Sequence, residues 1–178
     1  EPQSLADWLD VRSGAGEVRV LTAEGGVSAD VDILISKQRI PWSGHSGRFA
    51  VPEVYEAIKK ATMTLVFVNT RSQAELMFQE LWHANEDGLP IALHHGSLAR
   101  EQRTKVEAAM AAGALKAVVC TSTLDLGIDW GEVDLVIQMG APKGAARLIQ
   151  RIGRANHRMD EASRAVLVPT NRFEVLEC

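Results

Sequence analysis

A chain of 178 residues, 46% hydrophobic and 24% charged, has the composition of one globular domain with a sizeable core. Its net charge of −4 argues against a protein that coats nucleic acid through a uniformly basic surface, but it leaves room for a local phosphate site. Cys120 and Cys178 form no metal-ligand or disulfide pattern, and no run resembles a membrane span or signal peptide, so we expect a cytoplasmic protein without a membrane partner.

The first third of the chain predicts short elements separated by loops. Capping and strand patterns indicate a helix at residues 4–9 and strands at residues 18–22 and 31–36. Residues 41–48 read as a loop, and Pro52 is placed in the first turn of a helix that ends near Lys60. Because the sequence starts without methionine and stops without a tail, we expect a piece of a longer protein.

From residue 64 onward, apolar strands alternate with helices. The pattern predicts a capping box at Ser72-Gln73-Ala74-Glu75 and a helix that Ser97 caps and Gly113 closes. Strands are predicted at residues 64–68, 91–94, 116–120, 135–139 and 165–168. This alternation indicates an α/β fold with a mainly parallel sheet that helices cover on both faces.

The stretch 143–158 is basic in an acidic chain. It contains five cations and no carboxylate, at Lys143, Arg147, Arg151, Arg154 and Arg158. Helical spacing would align all five along one stripe, while Leu148, Ile149 and Ile152 would bury the helix. A polyanion such as a row of phosphates would stabilise the stripe, and a solvated helix face is the simpler alternative.

Polar segments follow four of the predicted strands. They are residues 69–71, 95–97, 121–123 and 140–142. In a parallel sheet these segments share one edge, where hydroxyls and free N–H groups suit a phosphate-rich ligand. The alternative is that the Ser and Thr residues only cap helices.

The loop 125–129 contributes two carboxylates and a glycine. These carboxylates could accept hydrogen bonds from sugar hydroxyls, or Asp129 could form a structural ion pair with an arginine. The chain lacks a glycine-rich loop that ends in Gly-Lys-Ser/Thr, so it cannot by itself hold a triphosphate in the usual way, and no metal site is predicted.

Four segments occur in the order of motifs IV to VI of the second RecA-like domain of superfamily 2 helicases. They are Leu-Val-Phe-Val-Asn-Thr-Arg at 65–71, His-His-Gly-Ser-Leu at 94–98, Val-Cys-Thr-Ser-Thr-Leu-Asp-Leu-Gly-Ile-Asp at 119–129 and Gln-Arg-Ile-Gly-Arg-Ala at 150–155. Within these helicases the chain resembles the large helicase-related (Lhr) class, and most of all its bacterial ligase-associated DEXH-box members. The resemblance covers about residues 30–178.

The resemblance implies a RecA-like three-layer αβα domain at residues 30–178, with residues 1–29 as an interdomain connector or the end of a preceding domain. ATP would lie between two RecA-like domains. The first of these would supply the phosphate loop, the DEXH box and the Mg²⁺ ligands, and it lies outside this sequence.

The resemblance also implies roles for individual residues. Arg154 would be the arginine finger, with Gln150 and Arg151 lining the same catalytic cleft. The ATP-binding residues would be Gly127, Asp129 and either His157 or Arg158. The nucleic-acid-binding residues would be Thr70, Arg71, Gly96, Ser97, Thr121 and Ser122.

The implied whole protein is an ATP-dependent 3′-to-5′ DNA helicase of the bacterial cytosol with a role in DNA repair. Its implied partners are single-stranded or 3′-tailed duplex DNA, the first RecA-like domain, a DNA ligase and a nuclease, with an RNA–DNA hybrid left open as a substrate. The isolated chain is expected to be inactive as an ATPase. The alternative function is a non-catalytic RecA-like module that binds nucleic acid or a protein.

Overall fold

The computed structural model describes Ser4, Trp8 and residues 28–125, 133–155 and 162–178. Within these ranges the chain forms six strands: β1 (Asp30–Ile33), β2 (Met63–Phe67), β3 (Ile91–His94), β4 (Ala117–Cys120), β5 (Val133–Met139) and β6 (Arg164–Val168). The same ranges contain four α-helices: α1 (Val51–Lys60), α2 (Arg71–His83), α3 (Arg100–Ala111) and α4 (Ala145–Ile152). The strand predicted at residues 18–22 lies outside the described residues, as does most of the helix predicted at 4–9.

The strands form one sheet in the order β1-β6-β5-β2-β4-β3, and every pairing is parallel. The predicted α/β fold with a parallel sheet is therefore confirmed. Strand β2 lies inside the sheet between β5 and β4, and all five of its residues are buried. Burial on both faces explains why this strand reads as a continuous apolar run rather than an alternating one.

Two apolar clusters lie on opposite faces of the sheet, because successive side chains of a strand project to opposite sides. Val66 and Val68 join the cluster that contains Ile58 of α1 and Met77 of α2. Leu65 and Phe67 join the cluster that contains Met110 of α3 and Ile152 of α4. The sheet thus has helices on both faces, and in the described part of the chain none of them is long and apolar enough to cross a membrane.

Helix α2 begins two residues earlier than its predicted capping box. Thr70 is the N-cap: its hydroxyl accepts a hydrogen bond from the Gln73 N–H at 3.2 Å, and the Gln73 side chain accepts one from the Thr70 N–H at 3.0 Å. The prediction at Ser72 was wrong because two overlapping windows, Thr-Arg-Ser-Gln and Ser-Gln-Ala-Glu, both fit the same pattern.

This cap gives a direct stability test. Thr70→Ala is expected to lower the free energy of unfolding by about 1 kcal/mol, because it leaves an N-terminal N–H of α2 without its acceptor. Ser72→Ala, in the first turn of the same helix, is the matched control and should change it by less than about 0.5 kcal/mol. Urea unfolding of both variants measures the difference, and equal effects would contradict the assignment of the cap.

Helix α3 shows a second boundary error. It starts at Arg100 after Ala99, which has no side-chain cap, so Ser97 does not cap it. The predicted closure is confirmed, since Gly113 adopts a φ of 64° and the Ala114 N–H bonds to the Ala109 carbonyl at 2.9 Å.

The segment after β6 holds the loop before α1 in place. The Asn171 side chain donates to the Gly44 carbonyl at 3.0 Å, and Glu174 lies 3.2 Å from Nδ1 of His45. Gly47 has a φ of 63°, and a Cβ there would lie 2.6 Å from the methyl group of Met139. The loop is therefore packed against the end of β5, and the left-handed φ of Gly47 favours glycine at this approach.

Candidate functional site

The polar segments after β5, β2, β4 and β3 lie side by side, because these four strands are consecutive neighbours in the parallel sheet. We call this side of the sheet the carboxyl edge. Thr70, Arg71, Gly96, Ser97 and Ser122 are exposed there, and Thr121 is partly exposed. All six residues that were predicted to contact nucleic acid thus lie along one surface, and their contact with nucleic acid stays a prediction.

Two hydrogen bonds connect the segments of this edge. Nη1 of Arg71 donates to the Ser97 hydroxyl at 2.8 Å, which joins the ends of β2 and β3. Nδ2 of Asn69 donates to the Ala141 carbonyl at 2.9 Å, which joins the ends of β2 and β5. Arg71 therefore presents its positive charge at the surface, next to a hydroxyl, in an arrangement that suits a phosphate oxygen.

The buried side chain of His94 stabilises the same edge. His94, 1% exposed, places Nδ1 2.8 Å from the Thr123 hydroxyl and Nε2 3.0 Å from the Glu107 carboxylate. Because a carboxylate only accepts, Nε2 carries the hydrogen and Nδ1 accepts from Thr123. This contact fixes the 3₁₀ turn Ser122–Leu124. The pairing of His94 with Thr123 was not predicted from the sequence.

The contribution of His94 to folding stability changes with pH in a direction that follows from its burial. Burial lowers the pKa of His94, against the opposing effect of Glu107 and in the same direction as the nearby Arg103 and His95. The unfolded chain then binds a proton below about pH 6.5 that the folded chain does not bind, so stability is complete above that pH and falls as the pH drops.

His94→Leu tests this sign. The variant should have a free energy of unfolding roughly 1–3 kcal/mol lower than wild type near neutral pH, because Thr123 and Glu107 lose a buried partner. This difference in free energy should shrink below about pH 6.5, where burial of the native histidine itself lowers stability. Urea unfolding across this pH range measures the difference, and a difference that does not vary with pH would rule out a neutral buried His94.

The basic stretch is not one continuous helical stripe. Helix α4 covers only Ala145–Ile152, so Lys143 precedes it and Arg154 lies in the turn that follows, while Arg158 is outside the described residues. Ile152 is buried as expected and Leu148 is partly buried against the same cluster, but Ile149 is 68% exposed. The five cations therefore do not share one environment.

Arg151 lies in the interior. Its side chain is 2% exposed, its Nε donates to Oδ1 of Asp125 at 2.9 Å, and its Nη1 donates to Oε1 of Gln138. The guanidinium also lies over the Phe67 ring, 4.6 Å from the centroid. Arg151 was predicted to line the ATP cleft, a role that stays a prediction, and its contacts are instead with strands β2 and β5 and the loop after β4.

The partners of Arg151 were not predicted from the sequence. An ion pair between Asp129 and an arginine was one expected alternative, but Asp129 lies outside the described residues and the observed carboxylate is Asp125. One signal was available: Gln138 is a polar residue in an otherwise apolar stretch of β5, and a fully buried amide requires a partner.

Arg154 differs from Arg151 in having an unused donor. It is partly exposed, its N–H bonds to the Arg151 carbonyl at 2.9 Å, and its buried Nε has no hydrogen-bond partner among the described residues. Gln150, one turn away, is exposed. An arginine with an unpaired Nε, one turn from an exposed glutamine, is consistent with a phosphate that another domain presents.

The remaining predicted nucleotide contacts cannot be placed, because Gly127, Asp129, His157 and Arg158 lie outside the described residues. Within the described part of the chain, no group of three or more His, Cys, Asp or Glu residues could hold a metal ion. The roles of these four residues therefore stay predictions.

Comparison with known proteins gives consistent matches. The family described as helicase conserved C-terminal domain matches residues 50–159. The ATP-dependent helicase Lhr-Core of Sulfolobus acidocaldarius is 41% identical over 128 residues, which are 69% of this chain and 15% of that protein. The Lhr-Core protein of Saccharolobus solfataricus is 34% identical over 169 residues, or 91% of this chain and 19% of that protein.

Solved structures agree with the sequence matches. Helicase Lhr of Mycobacterium smegmatis, bound to single-stranded DNA and AMP-PNP, superposes with a TM-score of 0.83 at 33% identity, over 99% of this chain and 24% of that one. Domain 2 of the DEAD-box helicase Mss116p, bound to an RNA duplex, gives a TM-score of 0.65 at 26% identity, over 78% of this chain and 54% of that one. The chain spans only a small part of its curated relatives.

Proposed function

The chain belongs to the family of helicase conserved C-terminal domains, with Lhr helicases among its relatives, and on that premise we propose that it is the second RecA-like domain of an ATP-dependent 3′-to-5′ DNA helicase. Residues 30–178 would form this domain, and residues 1–29 would connect it to the first. The observation that carries the proposal is the position of Arg154, with its unpaired Nε, directly after a helix that packs beneath the carboxyl edge.

The carboxyl edge would grip the backbone of the loading strand. Arg71 supplies a charge at the surface, and Ser97 and Ser122 supply hydroxyls that can donate to phosphate oxygens. Such contacts hold a strand without reading its bases. This fits a motor that has to move along DNA of any sequence.

The end of α4 would face the nucleotide. ATP, with Mg²⁺ held by the first RecA-like domain, supplies the phosphoanhydride whose hydrolysis drives the cycle. Arg154 would donate hydrogen bonds to the γ-phosphate oxygens, and exposed Gln150 would lie beside it. Because the nucleotide would bridge two domains, the isolated chain is expected to be inactive as an ATPase.

A strand-displacement assay of the full-length parent protein tests the proposal. We expect ATP-dependent opening of a duplex with a 3′ single-stranded tail and little opening of the matched duplex with a 5′ tail. Parallel DNA–DNA and RNA–DNA duplexes would report the preferred substrate. Nucleic-acid binding without ATP hydrolysis or strand displacement would favour the alternative, a non-catalytic binding module.

The cellular setting of the proposed helicase follows from the same family resemblance. We propose a role in DNA repair in the bacterial cytosol, with a DNA ligase and a nuclease as partners. Co-purification of both enzymes with the full-length protein would support this setting. Their absence would contradict the proposed partners and would not affect the proposed helicase activity.

A further inference from the structure

We infer that Arg151 is a positioning residue that never touches the nucleotide: its ion pair with Asp125 holds the Ser122–Leu124 turn of the carboxyl edge against helix α4, which ends beside Arg154. This inference rests on the proposed function. It assigns to one buried pair the connection between the surface proposed for nucleic acid and the residue proposed for ATP.

The contacts of Arg151 leave little of its guanidinium free. Nε is bonded to Asp125, Nη1 is bonded to Gln138, and the Phe67 ring lies 4.6 Å from the guanidinium carbon. The side chain is 2% exposed. A phosphate that bonded Nε would displace a buried carboxylate and leave that carboxylate without its cation.

The same contacts join three segments of the carboxyl edge. Asp125 directly follows the turn after β4, and its N–H bonds to the Ser122 carbonyl at 3.2 Å. Gln138 lies near the end of β5, where its Nε2 donates to the Met139 carbonyl at 3.0 Å and the Gly140 carbonyl at 3.2 Å. Arg151 therefore connects the last turn of α4 to the turn after β4 and to the end of β5.

Arg147 provides an internal contrast. It lies one turn earlier on α4 and approaches the other oxygen of Asp125, Oδ2, at 3.9 Å, but its side chain is 44% exposed. At that distance a half-exposed arginine contributes little to holding the carboxylate, because water screens its charge. The two arginines thus face one carboxylate, and only Arg151 fixes the turn.

A shift of the turn relative to α4 would break the buried pair. Since separated buried charges are strongly unfavourable, the turn and the end of α4 are expected to move as one unit. A strand bound at Ser122 would then influence the placement of Arg154 through Asp125 and Arg151. Loss of the pair should weaken stimulation by nucleic acid and leave the binding of ATP unchanged.

The test uses the full-length protein with both charges removed together, as Asp125→Leu/Arg151→Met, so that neither is left alone in the core. The expected result is a KM for ATP close to wild type and a fall of roughly tenfold in the stimulation of ATPase by single-stranded DNA, within the usual range of coupling between sites. Arg147→Ala is the matched control on the same helix and should leave both quantities unchanged. Circular dichroism would verify that each variant is folded.

If the double variant does not fold, Arg151→Lys serves in its place, because lysine keeps the charge but lacks the fork that bonds Asp125 and Gln138 together. Lower stimulation with an unchanged KM would again support the inference. A rise in the KM for ATP, or unchanged stimulation in a folded variant, would overturn it. A wild-type protein without DNA-stimulated hydrolysis would instead overturn the proposed function itself.

Discussion

Replacing Arg154 with alanine in the full-length protein is expected to lower nucleic-acid-stimulated ATP hydrolysis by roughly 10³- to 10⁵-fold, the range found for arginine fingers in other phosphoryl-transfer enzymes. The physical reason is that Arg154 is a partly exposed arginine whose buried Nε has no partner among the described residues. Its removal would take away charge stabilisation in the transition state and little native packing.

Steady-state ATPase assays with saturating single-stranded DNA measure this effect. Arg154→Lys should restore only a small part of the rate, because an ammonium group cannot reproduce the forked geometry. Lys143→Ala removes an exposed cation of the same basic stretch and serves as the control. Turnover by Arg154→Ala within a few-fold of wild type would show that another group stabilises the transition state.

The second large effect is on stability. Asp125→Ala in this chain should lower the free energy of unfolding by about 3–5 kcal/mol, because it leaves the Arg151 guanidinium buried without a counter-charge. Urea unfolding followed by circular dichroism measures it. The size of the effect comes from the lone buried charge, and it would exceed the net stabilisation that the intact pair provides.

Glu56→Ala is the matched control for this prediction. Glu56 also pairs with a cation, Lys59 at 3.4 Å, but its side chain is 58% exposed. The expected loss is below about 1 kcal/mol, as for other surface pairs. Similar losses in the two variants would mean that Asp125 and Arg151 are hydrated in the folded chain.

The sequence predicted the sheet well because its strands carry a strong signal. Residues 65–68 are apolar without interruption, which indicates a strand buried on both faces, and the alternation with helices favours a parallel sheet. The starts of α2 and α3 were placed wrongly for two reasons. Thr70 and Ser72 both fit the capping pattern of α2, and Ser97 precedes a helix whose N-cap position is Ala99, which has no side-chain cap.

The candidate site was predictable only at the surface. Segments after parallel strands share an edge by topology alone, so the grouping of Arg71 with Ser97 could be foreseen. The depth of Arg151 could not, because helical spacing gives the direction of a side chain and says nothing of what lies beneath the helix. Its partners Asp125 and Gln138 come from distant parts of the chain, and only the fold brings them together.

The contacts between the loop before α1 and the segment after β6 affect how the chain folds during synthesis. Asn171 and Gly44 are 127 residues apart, and among the described strands β1 pairs with β6 alone. A ribosome delivers Gly44 127 residues before Asn171, so this loop and β1 emerge before the segments with which they pair. Such long-range parallel pairing is inherently slow, because the closure of a long loop precedes the contacts that stabilise it.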